Sequence, residues 1–98
     1  MNATHLTAIR ARPGRSERLG ACLLDLLAPA RAQAGCLSFE ISRAADDPQL
    51  WRLRGTWRSP AAMQGYFAAT WLQRVLDRAL DEGLISSLAC SAEQDHAA

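Results

Sequence analysis

The 98-residue chain is long enough for one domain with one modest core and too short for two. Its 49% apolar and 21% charged content is that of an ordinary globular domain, and no apolar run approaches the ~20 residues that span a bilayer, so no membrane partner is expected. The 11 basic residues, all Arg, are dispersed among 10 acids for a net charge of +1, which argues against the clustered basic face of a nucleic-acid binder.

Met1 to His5 carries neither a basic stretch nor a long apolar one, so no signal peptide is visible and a cytoplasmic location is expected. Thr4 to Arg12 reads as a first strand, with Leu6, Ala8 and Ile9 as its apolar content and His5 as a surface or edge histidine near its start. Pro13-Gly14 stops it. Gly14 or Ser16 then opens a helix. Leu19, Cys22, Leu23, Leu26, Leu27 and Ala30 recur at helical spacing and form one apolar stripe. Pro29 should kink or tighten its last part, and Gly35 ends it.

Cys36 to Arg43 and Leu50 to Arg58 read as two strands joined by the turn Ala44 to Gln49. Leu37, Phe39 and Ile41 share one face of the first, and Trp51, Leu53, Gly55 and Trp57 one face of the second. Pairing Ile41 with Leu53 sets Phe39 opposite Gly55, Leu37 opposite Trp57, and Glu40 opposite Arg54 on the polar face. Ser59 is a good N-cap and Pro60 suits the first helical position. The helical region they open runs to Glu82 with a break near Thr70. Met63, Tyr66 and Phe67 share one side of its first part, and Leu72, Val75, Leu76, Ala79 and Leu80 form the stripe of its second. Gly83 caps it, Ile85 to Ala92 is a last strand, and Glu93 to Ala98 a frayed tail.

Strand, helix, strand, strand, helix, strand is the order of the ferredoxin-like α+β fold, an antiparallel sheet with both helices on one face. One domain is expected over 1–98, with its core in 4–92. The helices would cover Leu37, Phe39, Ile41, Leu53 and Trp57. The opposite face, with Glu40, Arg52 and Arg54, would either be solvated or pack against a second copy. Cys22, Cys36 and Cys90 are odd in number and lack a C-x-x-C pair, and neither His5 nor His96 adds a metal-like spacing. They read as buried reduced thiols, and no metal is expected. A small-molecule site, if there is one, belongs where the strand end at Trp57 meets the helix start at Ser59.

Several passages together resemble one family. They are Pro13-Gly14 before the first helix, Leu27-Ala28-Pro29-Ala30-Arg31 to Gly35-Cys36-Leu37, Asp46-Asp47-Pro48 in the turn, and Trp57 followed by Arg58-Ser59-Pro60. In order and spacing they are similar to the antibiotic-biosynthesis monooxygenase (ABM) domain family over roughly Leu6 to Ala92. The resemblance implies a homodimeric α/β barrel joined through the Glu40, Arg52 and Arg54 face. It also implies a site between sheet and helices, and cofactor-independent oxygenation of an electron-rich anthrone or quinol. Trp57 matches a tryptophan common in the family, whereas Gly55 stands where many members have Glu, and Tyr66 and Trp71 where many have His. The heme-degrading branch relies on a helix His and an Asn. Here the helix residue is Tyr66 and the only Asn is Asn2, so heme degradation is not expected and no cofactor is assigned.

An electron-rich phenol or hydroquinone, once deprotonated, can itself donate an electron to O₂. The protein then supplies an apolar pocket, a group that favours the anion, and exclusion of water. The expected catalytic residues are Tyr66, as hydrogen-bond donor to the oxyanion, and Trp57. The expected lining is Trp51, Leu53, Gly55, Met63, Phe67, Trp71 and Phe39. The alternative is a non-catalytic dimeric module of the same fold, binding a small aromatic molecule or associated with stress, in which these rings are chiefly core anchors.

Overall fold

Both helical stretches of the chain are broken in two, each at a place the sequence marks. The computed structural model describes residues 1–94. In chain order these form β1 (Ala3–Ala11), α1 (Ser16–Leu24), α2 (Leu27–Ala32), β2 (Cys36–Arg43), β3 (Leu50–Trp57), α3 (Pro60–Phe67), α4 (Thr70–Asp81) and β4 (Ile85–Gln94). Pro29 falls in the first turn of α2, where its missing N–H is not needed. In one continuous helix its ring would collide with the carbonyl of Asp25. The chain breaks there instead, with tight bonds from Asp25 N to Cys22 O (3.2 Å) and Leu26 N to Leu23 O (2.9 Å). Ser59 caps α3 by accepting the N–H of Ala62 at 3.1 Å, with Pro60 at the first helical position. The second break, at Ala68 and Ala69, precedes Thr70.

The four strands form one antiparallel sheet in the order β2-β3-β1-β4. This is the ferredoxin-like arrangement, with the helices packed on one face. The β2–β3 register pairs Ile41 with Leu53, Phe39 with Gly55 and Glu40 with Arg54, as expected. Near the start of β2 it shifts, and Cys36 rather than Leu37 stands opposite Trp57. One extra residue moves a side chain to the other face. Leu37 is therefore half-exposed instead of lying under the helices.

Along β1 every second residue points to the helices, so Ala3, His5, Thr7, Ile9 and Ala11 are buried. The outward set includes Leu6, which is 41% exposed and occupies the middle of the open face. Phe39, Leu53 and Trp57 complete the sheet's share of the core, against Leu19, Leu23, Leu26, Met63, Tyr66, Leu72 and Ala79. Leu80, expected in the α4 stripe, is exposed.

Among the described residues no helix covers the opposite face, where Glu40, Arg52 and Arg54 are exposed. No helix among them is long and apolar enough to cross a membrane. Of the expected tail, Glu93 and Gln94 pair with β1 in the sheet. Residues 95–98, with His96, lie outside the described residues.

Candidate functional site

Trp57 ends β3 and α3 turns back across the strand ends, which brings Tyr66 down onto the sheet. Its ring stacks on the imidazole of His5, with centroids 4.8 Å apart and planes 17° apart. Trp57 (5.0 Å), Phe67 (5.2 Å), Phe39 (5.5 Å) and Trp71 (5.7 Å) surround it. His5 is thus fully buried at the centre of an aromatic cluster and is not a surface histidine. Its place is set by the neighbouring strand. His5 pairs with Gly55, and a Cβ on Gly55 would run into His5 Nε2 and come within 2.8 Å of Trp57 Nε1. Only the absent side chain leaves room for the imidazole.

Both nitrogens of His5 and the indole nitrogen of Trp57 are buried without a hydrogen-bond partner among the described residues. Desolvation pushes the His5 pKa down from 6.5 to about 4, so the ring is neutral near pH 7. Burial pushes the Tyr66 phenol well above its ordinary range, and the nearby Cys90 side chain adds to the shift. Tyr66 therefore keeps its proton near pH 7.

Beside this cluster, α4 and the end of α3 stand off the sheet and leave a pocket of about 140 Å³. It is lined by Thr7, Ile9, Leu53, Tyr66, Phe67, Leu72, Leu76, Leu88 and Cys90. The lining is aliphatic and aromatic except for Thr7, Tyr66 and Cys90. The Thr7 hydroxyl donates to Cys90 Sγ at 3.4 Å. The Tyr66 hydroxyl has no hydrogen-bond partner among the described residues. Phe67 and Leu88 are partly exposed, 36% and 46%, and form the rim. A 150 Å³ apolar cavity takes up benzene, so this pocket suits about one aromatic ring. A larger hollow, near Leu6 and Arg54, lies on the uncovered sheet face.

Of the residues the sequence nominates, Tyr66, Leu53 and Phe67 line the pocket. Trp57, Phe39 and Gly55 surround Tyr66 and His5 without reaching it. Met63 is buried on α3 and does not line it either. Trp71 stands edge-on to Tyr66 and donates its indole N–H to Gln33 Oε1 at 3.4 Å. Trp51 does not line the pocket, although its partner Ile9 does. It pairs with Ile9, six residues and about 20 Å along β3 from Trp57. There its ring packs on Gly20 of α1, its N–H donates to Ser16 Oγ at 3.1 Å, and Arg43 lies over it at 5.3 Å.

Sequence reasoning missed His5, Thr7 and Cys90. Strict alternation back from Ile9 would have turned Thr7 and His5 inward, but both are polar and did not count as core. The three cysteines are free, yet only Cys22 is buried. Cys36 is half-buried and Cys90 exposed, so they are not uniformly core thiols. Among the described residues, no three His, Cys, Asp or Glu side chains converge as a metal site.

A four-stranded ferredoxin-like sheet, with a one-ring apolar pocket between it and the second helical pair, defines the class of this protein. Residues 3–78 match the model of the family described as "Antibiotic biosynthesis monooxygenase", and the chain belongs to that family. Among solved structures, PA3566 from Pseudomonas aeruginosa is 29% identical, with a TM-score of 0.85 over 98% of this chain and 95% of that one. SO0527 from Shewanella oneidensis is 22% identical, with a TM-score of 0.87 over 94% and 88%. Rv0793 from Mycobacterium tuberculosis is 22% identical, with a TM-score of 0.82 over the whole of both chains. No curated protein sequence matches the chain.

Proposed function

We propose that the protein is a cofactor-independent oxygenase of a single-ring hydroquinone or phenol, bound in the pocket beside Tyr66. One observation carries this reading: the pocket is apolar, is the size of one ring, and is lined in part by Tyr66, whose phenol keeps its proton. A single ring matches that volume, and the quinol branch of the expectation is the one taken here. Tyr66 donates a hydrogen bond to the substrate's oxygen as it loses its proton, which leaves toward the solvent-exposed rim at Leu88. The anion passes one electron to O₂. Radical and superoxide join at a ring carbon to give a hydroperoxide, and loss of water leaves a hydroxyquinone. Hydroquinone plus O₂ thus becomes hydroxyquinone plus water, with no further reductant.

Trp57 does not line the pocket, so its part is to hold Tyr66 in place. His5 is a base by type, but Tyr66 and Phe67 stand between it and the substrate, so no proton is routed through it. The open sheet face, with Leu6 at its centre and Glu40, Arg52 and Arg54 around it, is the surface on which a second copy packs to form a homodimer. Oxygen consumption with 1,4-hydroquinone tests the activity. The wild type should exceed autoxidation in buffer, and Tyr66→Phe should lower the rate at least tenfold with little change in melting temperature. A wild-type rate equal to autoxidation would refute the proposal.

A further inference from the structure

Cys90 has no place in the oxygenation described above, yet it lines the same pocket. It lies on β4 opposite the inward-facing Thr7, which puts its side chain on the helix side of the sheet, and it is exposed. Its sulfur accepts the Thr7 hydroxyl, a bond that also holds it beside the slot. The second observation is Tyr66, which is 2% exposed, lines the slot, and offers a hydroxyl that no described residue accepts. A nucleophilic sulfur, an unpaired proton donor and a one-ring apolar slot are the three features that a flat, conjugated carbonyl electrophile would use.

We infer that Cys90 is a modification site for quinones, which the pocket seats between Tyr66 and the thiol. This rests on the proposed activity for the origin of the quinone, which is the product of that reaction, but not for the chemistry. The ring occupies the slot, and Tyr66 donates its hydrogen bond to one carbonyl oxygen. The sulfur adds to the conjugated ring carbon. A carbon–sulfur bond forms, the electron pair moves to the carbonyl oxygen, which takes the thiol proton, and the hydrogen of the attacked carbon moves to the other oxygen as the ring regains aromaticity. Thiol plus quinone gives a hydroquinone thioether, with nothing released and no other oxidant. The modified ring stays in the slot and blocks it, so each quinone that fails to leave closes one site.

The other two thiols are poor competitors. Cys22 is buried, with its sulfur directed to the carbonyl of Val75 at 3.8 Å. Cys36 is half-buried at the start of β2, and desolvation pushes its thiol pKa up. Only the thiolate attacks at a useful rate.

The test supplies 1,4-benzoquinone directly to the full chain under nitrogen, near equimolar, and follows intact mass and then the modified peptides. Iodoacetamide, which needs no carbonyl donor, is the reference reagent. The expected result is a single adduct on Cys90, formed at least tenfold faster than any on Cys36, saturable in quinone and absent in Cys90→Ser. Tyr66→Phe and the rim variant Leu88→Trp should each slow the quinone reaction at least fivefold relative to iodoacetamide. Equal labelling of Cys36, no adduct on Cys90, or an unchanged quinone-to-iodoacetamide ratio in both variants would overturn the inference. No turnover enters this experiment. Labelling without oxygen consumption would therefore refute the oxygenase alone, and oxygen consumption without labelling would refute Cys90 alone.

Discussion

An imidazole buried with both nitrogens unpartnered costs the fold on the order of 1–3 kcal/mol, and that cost stays moderate only while the ring is neutral. Folded His5 takes a proton near pH 4, against 6.5 for the free side chain. Between those values the unfolded chain binds more protons than the folded one, so stability falls as the pH falls. The loss begins below about pH 6.5 and reaches roughly 3 kcal/mol near pH 4. Urea titrations from pH 7.5 to 4.5 should show this acid limb in the wild type and a shallower one in His5→Phe. Parallel curves would show that His5 is not buried as described.

Gly55 belongs to the same arrangement. A methyl group there meets His5 and Trp57, both fully buried. Gly55→Ala should lower stability by about 1–3 kcal/mol, measured as a lower urea midpoint with unchanged slope. None of this was legible in the composition of β1. Ala3, His5 and Thr7 face inward while Leu6 faces out, so the apolar residues misreport the buried side. His5 is admitted by a glycine about fifty residues away, and such a pairing is visible only once the register of β1 against β3 is known.

At the scale of elements, the first helical break, the start of α3, the strand spans and most of the β2–β3 register followed from local chemistry: prolines, an N-cap serine and strict alternation. The bulge between Cys36 and Ser38 did not, because it adjusts β2 to its neighbour and leaves no mark in the strand's own pattern. Trp51 was misplaced for a related reason. It shares a face with Trp57, but a shared face does not bring two ends of a strand together. It anchors α1 instead, where Gly20 lets the indole lie against the helix backbone. Gly20→Ala should therefore cost about 1–3 kcal/mol by displacing the Trp51 ring. Oxygen consumption at 15 °C should stay within twofold of wild type, since neither Gly20 nor Trp51 lines the pocket. A loss of activity in a variant that is still folded by circular dichroism would show the two regions to be coupled.

For the whole molecule, the order of elements alone sufficed for the ferredoxin-like fold, and the family match over residues 3–78 agrees with it. The pocket was half legible. Tyr66, Leu53 and Phe67, named from the sequence, line it, but its other polar lining, Thr7 and Cys90, comes from β1 and β4, which pair with each other across the full length of the chain. The proposed homodimer depends on the other side of the sheet. Sedimentation equilibrium should give twice the chain mass for the wild type. Leu6→Asp, which places a charge at the centre of the open face, should raise the dissociation constant at least tenfold. A wild-type protomer that stays single at micromolar concentration would remove the dimer and leave the pocket untouched.

The pocket itself is tested most directly by closing it. Leu88 stands at the rim and is nearly half exposed, so Leu88→Trp fills the mouth without crowding the core. Oxygen consumption with 1,4-hydroquinone should saturate in the wild type and fall to the autoxidation rate in Leu88→Trp, at equal melting temperature. A variant that consumes oxygen as fast as the wild type would place the reaction somewhere other than beside Tyr66.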